Sequence, residues 1–176
     1  MTVAVLVVGA EGSGTRLMTR LLMAAGCLGG DDGVQAFDRF VPPATCPIVW
    51  RKSYPHYGRW PNLRRMAARG RLQGYEVRAV VMLRDWHALC ASQVAAHHVA
   101  TLADARWRSR EAYRRIFRGL ELAGLTQAYI PVTYEALVDR PTPVMEGVFR
   151  ELGLPEGTPL PFPITDANAK YYKAQA

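Results

Sequence analysis

Residues 7 to 22 read VVGAEGSGTRLMTRLL, and no other stretch limits the fold as strongly. VAVLVV at 3–8 is continuously apolar and rich in β-branched residues, the signature of a strand buried on both faces. Leu17, Leu21, Leu22 and Ala25 then recur at helical spacing. Between them Gly9, Gly12 and Gly14 allow a tight turn that exposes successive N–H groups, and the positive end of the following helix points at the same place. Such a unit holds an anion. The Gly9-x4-Gly14 spacing fits the phosphate-loop template, but Thr15 and Arg16 follow where Lys and Ser/Thr are required. The lysine that reaches β- and γ-phosphates and the hydroxyl that holds magnesium are both missing, which disfavours an ordinary ATPase or kinase.

The rest of the chain alternates in the same way. Strands are expected at 47–50, 77–83 and 128–134, the last near an edge because of Pro131. Helices are expected over 62–69, 87–100 and 105–123, with a final one from Pro143 stopped by Gly153 and Pro155. The pattern predicts an α/β domain: a three-layer parallel sheet with helices on both faces, one domain over 1–176, and 156–176 as an extended tail. At 176 residues the chain is long enough to bury a full core, and 49% apolar with 21% charged residues is far from the composition of disorder.

Cys27, Cys46 and Cys90 are odd in number and lack CxxC spacing, so neither a disulfide framework nor a zinc knuckle is indicated. The N-terminus has no positive leader region, and its apolar run is too short to span a bilayer. A reducing cytoplasm, in a prokaryotic or viral setting, is the expectation, with no membrane association. The net charge of +7 admits a phosphorylated cofactor, an acidic substrate or nucleic acid as partner.

The motif EGSGTR is similar to the KSGTT or RSGTT loop of sulfotransferases that use 3′-phosphoadenosine 5′-phosphosulfate (PAPS). A second likeness lies in VVMLRDWHALCASQV, where Arg84 ends a central strand and Ser92 follows eight residues later, the family's arrangement for the 3′-phosphate. A planar guanidinium can fork onto phosphate, and a hydroxyl two helical turns along can reach the same oxygens. PVTYEALVDRPTPVMEGVFRELGLP resembles the family's late strand ending in Tyr-Glu with its closing helices, and Tyr134 matches a tyrosine near the adenine. The resemblance covers roughly 3–25, 77–100 and 128–155. It implies a phosphate-loop-like sulfotransferase fold, PAPS as co-substrate and no metal. Gly12, Ser13, Gly14, Thr15 and Arg16 would cradle the 5′-phosphate, with Arg84, Ser92 and Tyr134 around the remainder of the nucleotide.

Three departures accompany the likeness. Gly12 replaces the loop's basic residue, the late RKGxxGxW element is absent, and the chain is short. The missing cation is sought in WRKSYPHYGRW, where the family's lysine aligns with Arg51 and its catalytic histidine with Ser53. Arg51 or Lys52 is therefore the expected sulfonate clamp and His56 the expected general base. Glu11 and Asp38 are alternative bases, while His97 and His98, being adjacent, cannot share a helix face and read as a helix end. The acceptor, a small molecule, glycan or peptide, would be chosen by 26–47, the loop Tyr54–Trp60 and the tail. Two other readings remain open: an unusual kinase with Asp85 on magnesium, and a basic module that binds nucleotide, nucleic acid or protein without turnover.

Overall fold

The computed structural model describes residues 2–29, 44–56 and 58–172. Among the described residues four strands form one sheet: β1 (Val3–Ala10), β2 (Ile48–Tyr54), β3 (Glu76–Leu83) and β4 (Tyr129–Thr133), in the order β2-β1-β3-β4. All three pairings are parallel. Every residue of β1 is buried, which is why its sequence is continuously apolar instead of alternating. Pro131 lies in β4 at the sheet edge, where its missing N–H removes no ladder bond.

Helices cover both faces. Val3, Val5 and Val7 pack with Met18, Leu21 and Leu22 of α1 (Thr15–Ala24) and with Met145, Val148 and Phe149 of α6 (Pro141–Leu152). The alternate residues Ala4, Leu6 and Val8 pack with Leu63, Met66 and Ala67 of α2 (Leu63–Leu72) and with Ala112, Ile116 and Leu120 of α4 (Leu102–Leu122). The strand period of two thus sorts one short sequence between two cores. Ile116 has no exposed surface, and its truncation to Ala costs about 2–5 kcal/mol from lost burial and the cavity left behind.

The remaining helices are α3 (Trp86–Ala95), α5 (Tyr134–Asp139) and the four-residue α7 (Ala169–Tyr172). Asn62, Asp85, Thr101 and Thr133 each accept an N–H of the first turn of α2, α3, α4 and α5, supplying the caps those helices need.

Several expected boundaries move. The second strand runs to Tyr54 and carries Arg51, Lys52 and Ser53 inside it; the sequence there looks like a loop only because buried polar residues at a strand's end resemble exposed ones. The third helix stops at Ala95, with His97 just beyond it at a φ of 55°. Tyr134 opens α5 instead of closing β4, because Thr133 caps a new helix there. The stretch 30–43, with Asp38, lies outside the described residues. In the tail, Leu160, Phe162 and Ile164 pack on the α1/α6 core.

Candidate functional site

The β1–α1 loop lies at the carboxyl end of the sheet, where open α/β sheets place their ligands. Gly12 and Gly14 adopt left-handed backbone with φ of 85° and 96°. Gly14 is the N-cap of α1 and supplies no side-chain oxygen to it, so the first-turn N–H groups are left for an anion. Ser13 and Thr15 are buried. The Thr15 hydroxyl lies 3.3 Å from that of Ser53 on β2, while Arg16 is exposed on the first turn of α1.

Arg84 and Ser92 meet at Gly12. Arg84 Nη1 donates to the Gly12 carbonyl at 2.5 Å. From the other side, a Cβ on Gly12 would lie 2.4 Å from Ser92 Oγ. Two residues eight apart in sequence therefore reach one loop residue, because β3 ends next to β1 and α3 turns back over its end. Ser92 itself donates to the Leu89 carbonyl at 2.8 Å. A side chain at position 12 is strained: the φ of 85° is one that residues other than glycine rarely adopt, and the Ser92 hydroxyl would have to turn away.

The guanidinium of Arg84 is held on three sides. Nε donates to Asn168 Oδ1 at 2.7 Å, and the ring centres of Tyr134 and Tyr171 lie 4.7 and 5.6 Å away. Its Nη2 is buried with no hydrogen-bond partner. The expected two-pronged grip on phosphate is thus half committed, since the Nε prong belongs to Asn168. Glu135 fixes the assembly by accepting from Asn168 Nδ2 at 2.7 Å and from the Asp85 N–H at 2.9 Å. Tyr134 donates to the Thr165 carbonyl and accepts from the Ala167 N–H, and its ring sits 3.0 Å from where a Cβ of Gly14 would be. None of the roles of Asn168 and Glu135 is visible locally in the sequence. Only the Tyr-Glu dipeptide hinted at the second.

Asp85 caps α3 through the Ala88 N–H, and that bond together with Tyr172 and His87 holds its carboxyl below the usual range. Among the described residues no group of three or more His, Cys, Asp or Glu is arranged to hold a metal ion. No helix among them is long and apolar enough to cross a membrane.

Glu11 turns toward α4 and pairs with Arg108 at 3.1 Å, while its carbonyl accepts from Gln93 at 2.8 Å. Burial raises its carboxyl above the ordinary value, opposed by the charges of His98 and Arg108.

On β2, successive residues point to opposite faces. Arg51 and Ser53 share the face of Val49 beneath α1, and Lys52 shares that of Trp50 and Tyr54 on the α2/α4 side. Both cations are buried, at 6% and 5% exposure, so the expected clamp cannot be an interchangeable pair. His56 follows the cis Tyr54–Pro55 bond and is half-buried, its backbone paired with that of Arg59.

No family model matches the chain, and no curated protein matches it. Solved structures do. A sulfotransferase domain from the Synechococcus PCC 7002 olefin synthase aligns with a TM-score of 0.64 at 15% identity, over 95% of this chain and 78% of that one. The fold is that of a sulfotransferase domain. A sulfotransferase domain from the curacin biosynthetic pathway aligns equally well, with a TM-score of 0.64 at 10% identity over 96% of this chain and 80% of its own. The sulfotransferase fold is thus retained at identities where composition alone would reveal nothing, and the chain spans most of the length of both domains.

Proposed function

We propose that the protein transfers a sulfuryl group from PAPS to a hydroxyl or amine of a small molecule, glycan or peptide. The observation that carries this reading is the convergence of Arg84 and Ser92 on Gly12. The residues fit such a donor. The Gly12, Gly14 and Thr15 N–H groups and the α1 N-terminus suit the 5′-phosphate, the Ser13 N–H being taken by the Ala10 carbonyl, and the buried, unpartnered Nη2 of Arg84 suits a 3′-phosphate. Tyr134, whose ring lies near both Arg84 and Gly14, is the proposed neighbour of the adenine.

PAPS brings the reactive sulfuryl group when bound. Arg51, on the loop side of β2, is the cation proposed to neutralise the charge that develops on the bridging oxygen, with Lys52 behind it. His56 is the proposed base: it would take the acceptor's proton as sulfur bonds to the acceptor oxygen or nitrogen and 3′,5′-ADP leaves with the bridging oxygen, since histidine changes charge near neutral pH. Glu11 is the weaker candidate because Arg108 already holds it. The three cysteines are free thiols, which agrees with a reducing cytoplasm as the working place.

Calorimetric titration with 3′,5′-ADP, 5′-AMP and ATP with magnesium tests the reading. The expected result is preference for 3′,5′-ADP, abolished in Arg84→Ala by roughly ten- to hundredfold, the value of a charged hydrogen bond. Preference for ATP, or salt-sensitive nucleic-acid binding that ignores 3′,5′-ADP, overturns it.

A further inference from the structure

Nothing in the motif resemblance involves the C-terminal segment, yet three of the contacts that fix Arg84 lead there. Asn168 is 97% buried (3% exposed), accepts from Arg84 Nε at 2.7 Å and donates to Glu135 at 2.7 Å. Glu135 in turn accepts from the backbone N–H of Asp85, the residue after Arg84. Asn168 itself is set in place by its own N–H on Asp166 Oδ1 at 2.8 Å, and the segment is anchored by both hydrogen bonds of the Tyr134 hydroxyl. Tyr171 lies over the guanidinium, and Tyr172 stacks on His87 of α3 at 6.2 Å.

A guanidinium carries five N–H donors in one plane. Asn168 takes Nε and the Gly12 carbonyl takes one N–H of Nη1, leaving the other N–H of Nη1 and both of Nη2, while the rings of Tyr134 and Tyr171 lie near the cation. The donors of Nη2 are then the ones left buried and unpaired, and an unsatisfied buried donor is a costly state that an incoming anion relieves. The same geometry argues that Asn168 is an aiming device and not decoration: an amide, unlike a carboxylate, orients the cation without neutralising it, and its own N–H side is tied down by Glu135.

We infer that Asn168 is a positioning residue which, with Glu135, aims the Nη2 edge of Arg84 at the 3′-phosphate, so that the C-terminal segment helps set selectivity for a 3′-phosphorylated nucleotide. This rests on the function proposed above.

The test compares 3′,5′-ADP with 5′-AMP on the full chain, for the wild type, Asn168→Ala and Arg84→Ala. Asn168→Ala is expected to leave 5′-AMP affinity unchanged and to reduce the preference for 3′,5′-ADP by about tenfold, the low end for a hydrogen bond to a charged group. Without nucleotide, the Arg84 Nε–H resonance of the wild type is expected to be shifted and protected from exchange, and both features are lost in Asn168→Ala.

An equal fall in affinity for both nucleotides means that the segment serves structure alone, and overturns the inference. A preference that is unchanged or rises does so too, the latter because Asn168 would then compete with phosphate for Nε. In either case a collapsed preference in Arg84→Ala leaves the proposed function standing. If Arg84→Ala retains the full preference, both fall together.

Discussion

The two halves of the site are built differently. Around Gly12, polar groups are locked by one another: Arg84, Asn168, Glu135 and the Asp85 N–H form one connected network. At the end of β2, Arg51, Lys52 and Ser53 owe their positions to a strand, whose alternation sends neighbours to opposite faces. The first arrangement fixes orientation to the level of single N–H bonds, as recognition of a phosphate group demands. In the second, the strand's alternation decides which face each buried side chain occupies. The Thr15–Ser53 hydroxyl contact joins the two.

The largest test of this difference is Gly12→Lys, which would restore the basic residue of the sulfotransferase loop. In a half this tightly built it is expected to cost about 1–3 kcal/mol of stability, from the left-handed backbone and the Ser92 contact, and to weaken 3′,5′-ADP binding. Urea denaturation and calorimetry read the two effects. Adding Ser92→Ala should recover the steric part of the stability and leave the backbone part. Unchanged stability with tighter binding would mean that the loop is less tightly built than its network implies.

Ser53→Ala is a smaller perturbation. At 3.3 Å the contact with Thr15 is long, so a loss within about 1 kcal/mol is expected by thermal denaturation, without change in nucleotide preference. A larger loss, or altered selectivity, would make the halves one cooperative unit.

The smallest effect concerns Glu11, beneath the loop. Its carboxyl is raised in the fold, so the folded state favours the protonated form. The sign follows: the associated stability is complete below the unfolded carboxylate value and is lost as pH rises through the raised one. Glu11→Gln should therefore flatten the fall in melting temperature on going from acid toward neutral pH. A steeper fall would mean that the pair with Arg108 outweighs burial.

How much of this was legible follows from how far apart the partners lie. The glycine turn, Arg84 and Ser92 each belong to one short segment, so their spacing carries the geometry. The expected second strand stops short of Arg51 to Tyr54 because a polar strand end has the composition of a surface. The role of the tail was not legible, since nothing in PITDANAKYY reveals that Asn168 meets a side chain 84 residues away.

Sequence alone determined the α/β class, the central place of β1 and β3, and the anion-holding turn, because periodicity and glycine spacing are local and the backbone obeys them locally. Tertiary structure alone decided that a side chain at position 12 is strained, that Arg51 and Lys52 part to opposite faces, and that the C-terminal segment grips Arg84. Those facts depend on which atoms meet across the sheet and on how little room they leave, and a linear pattern does not encode such distances.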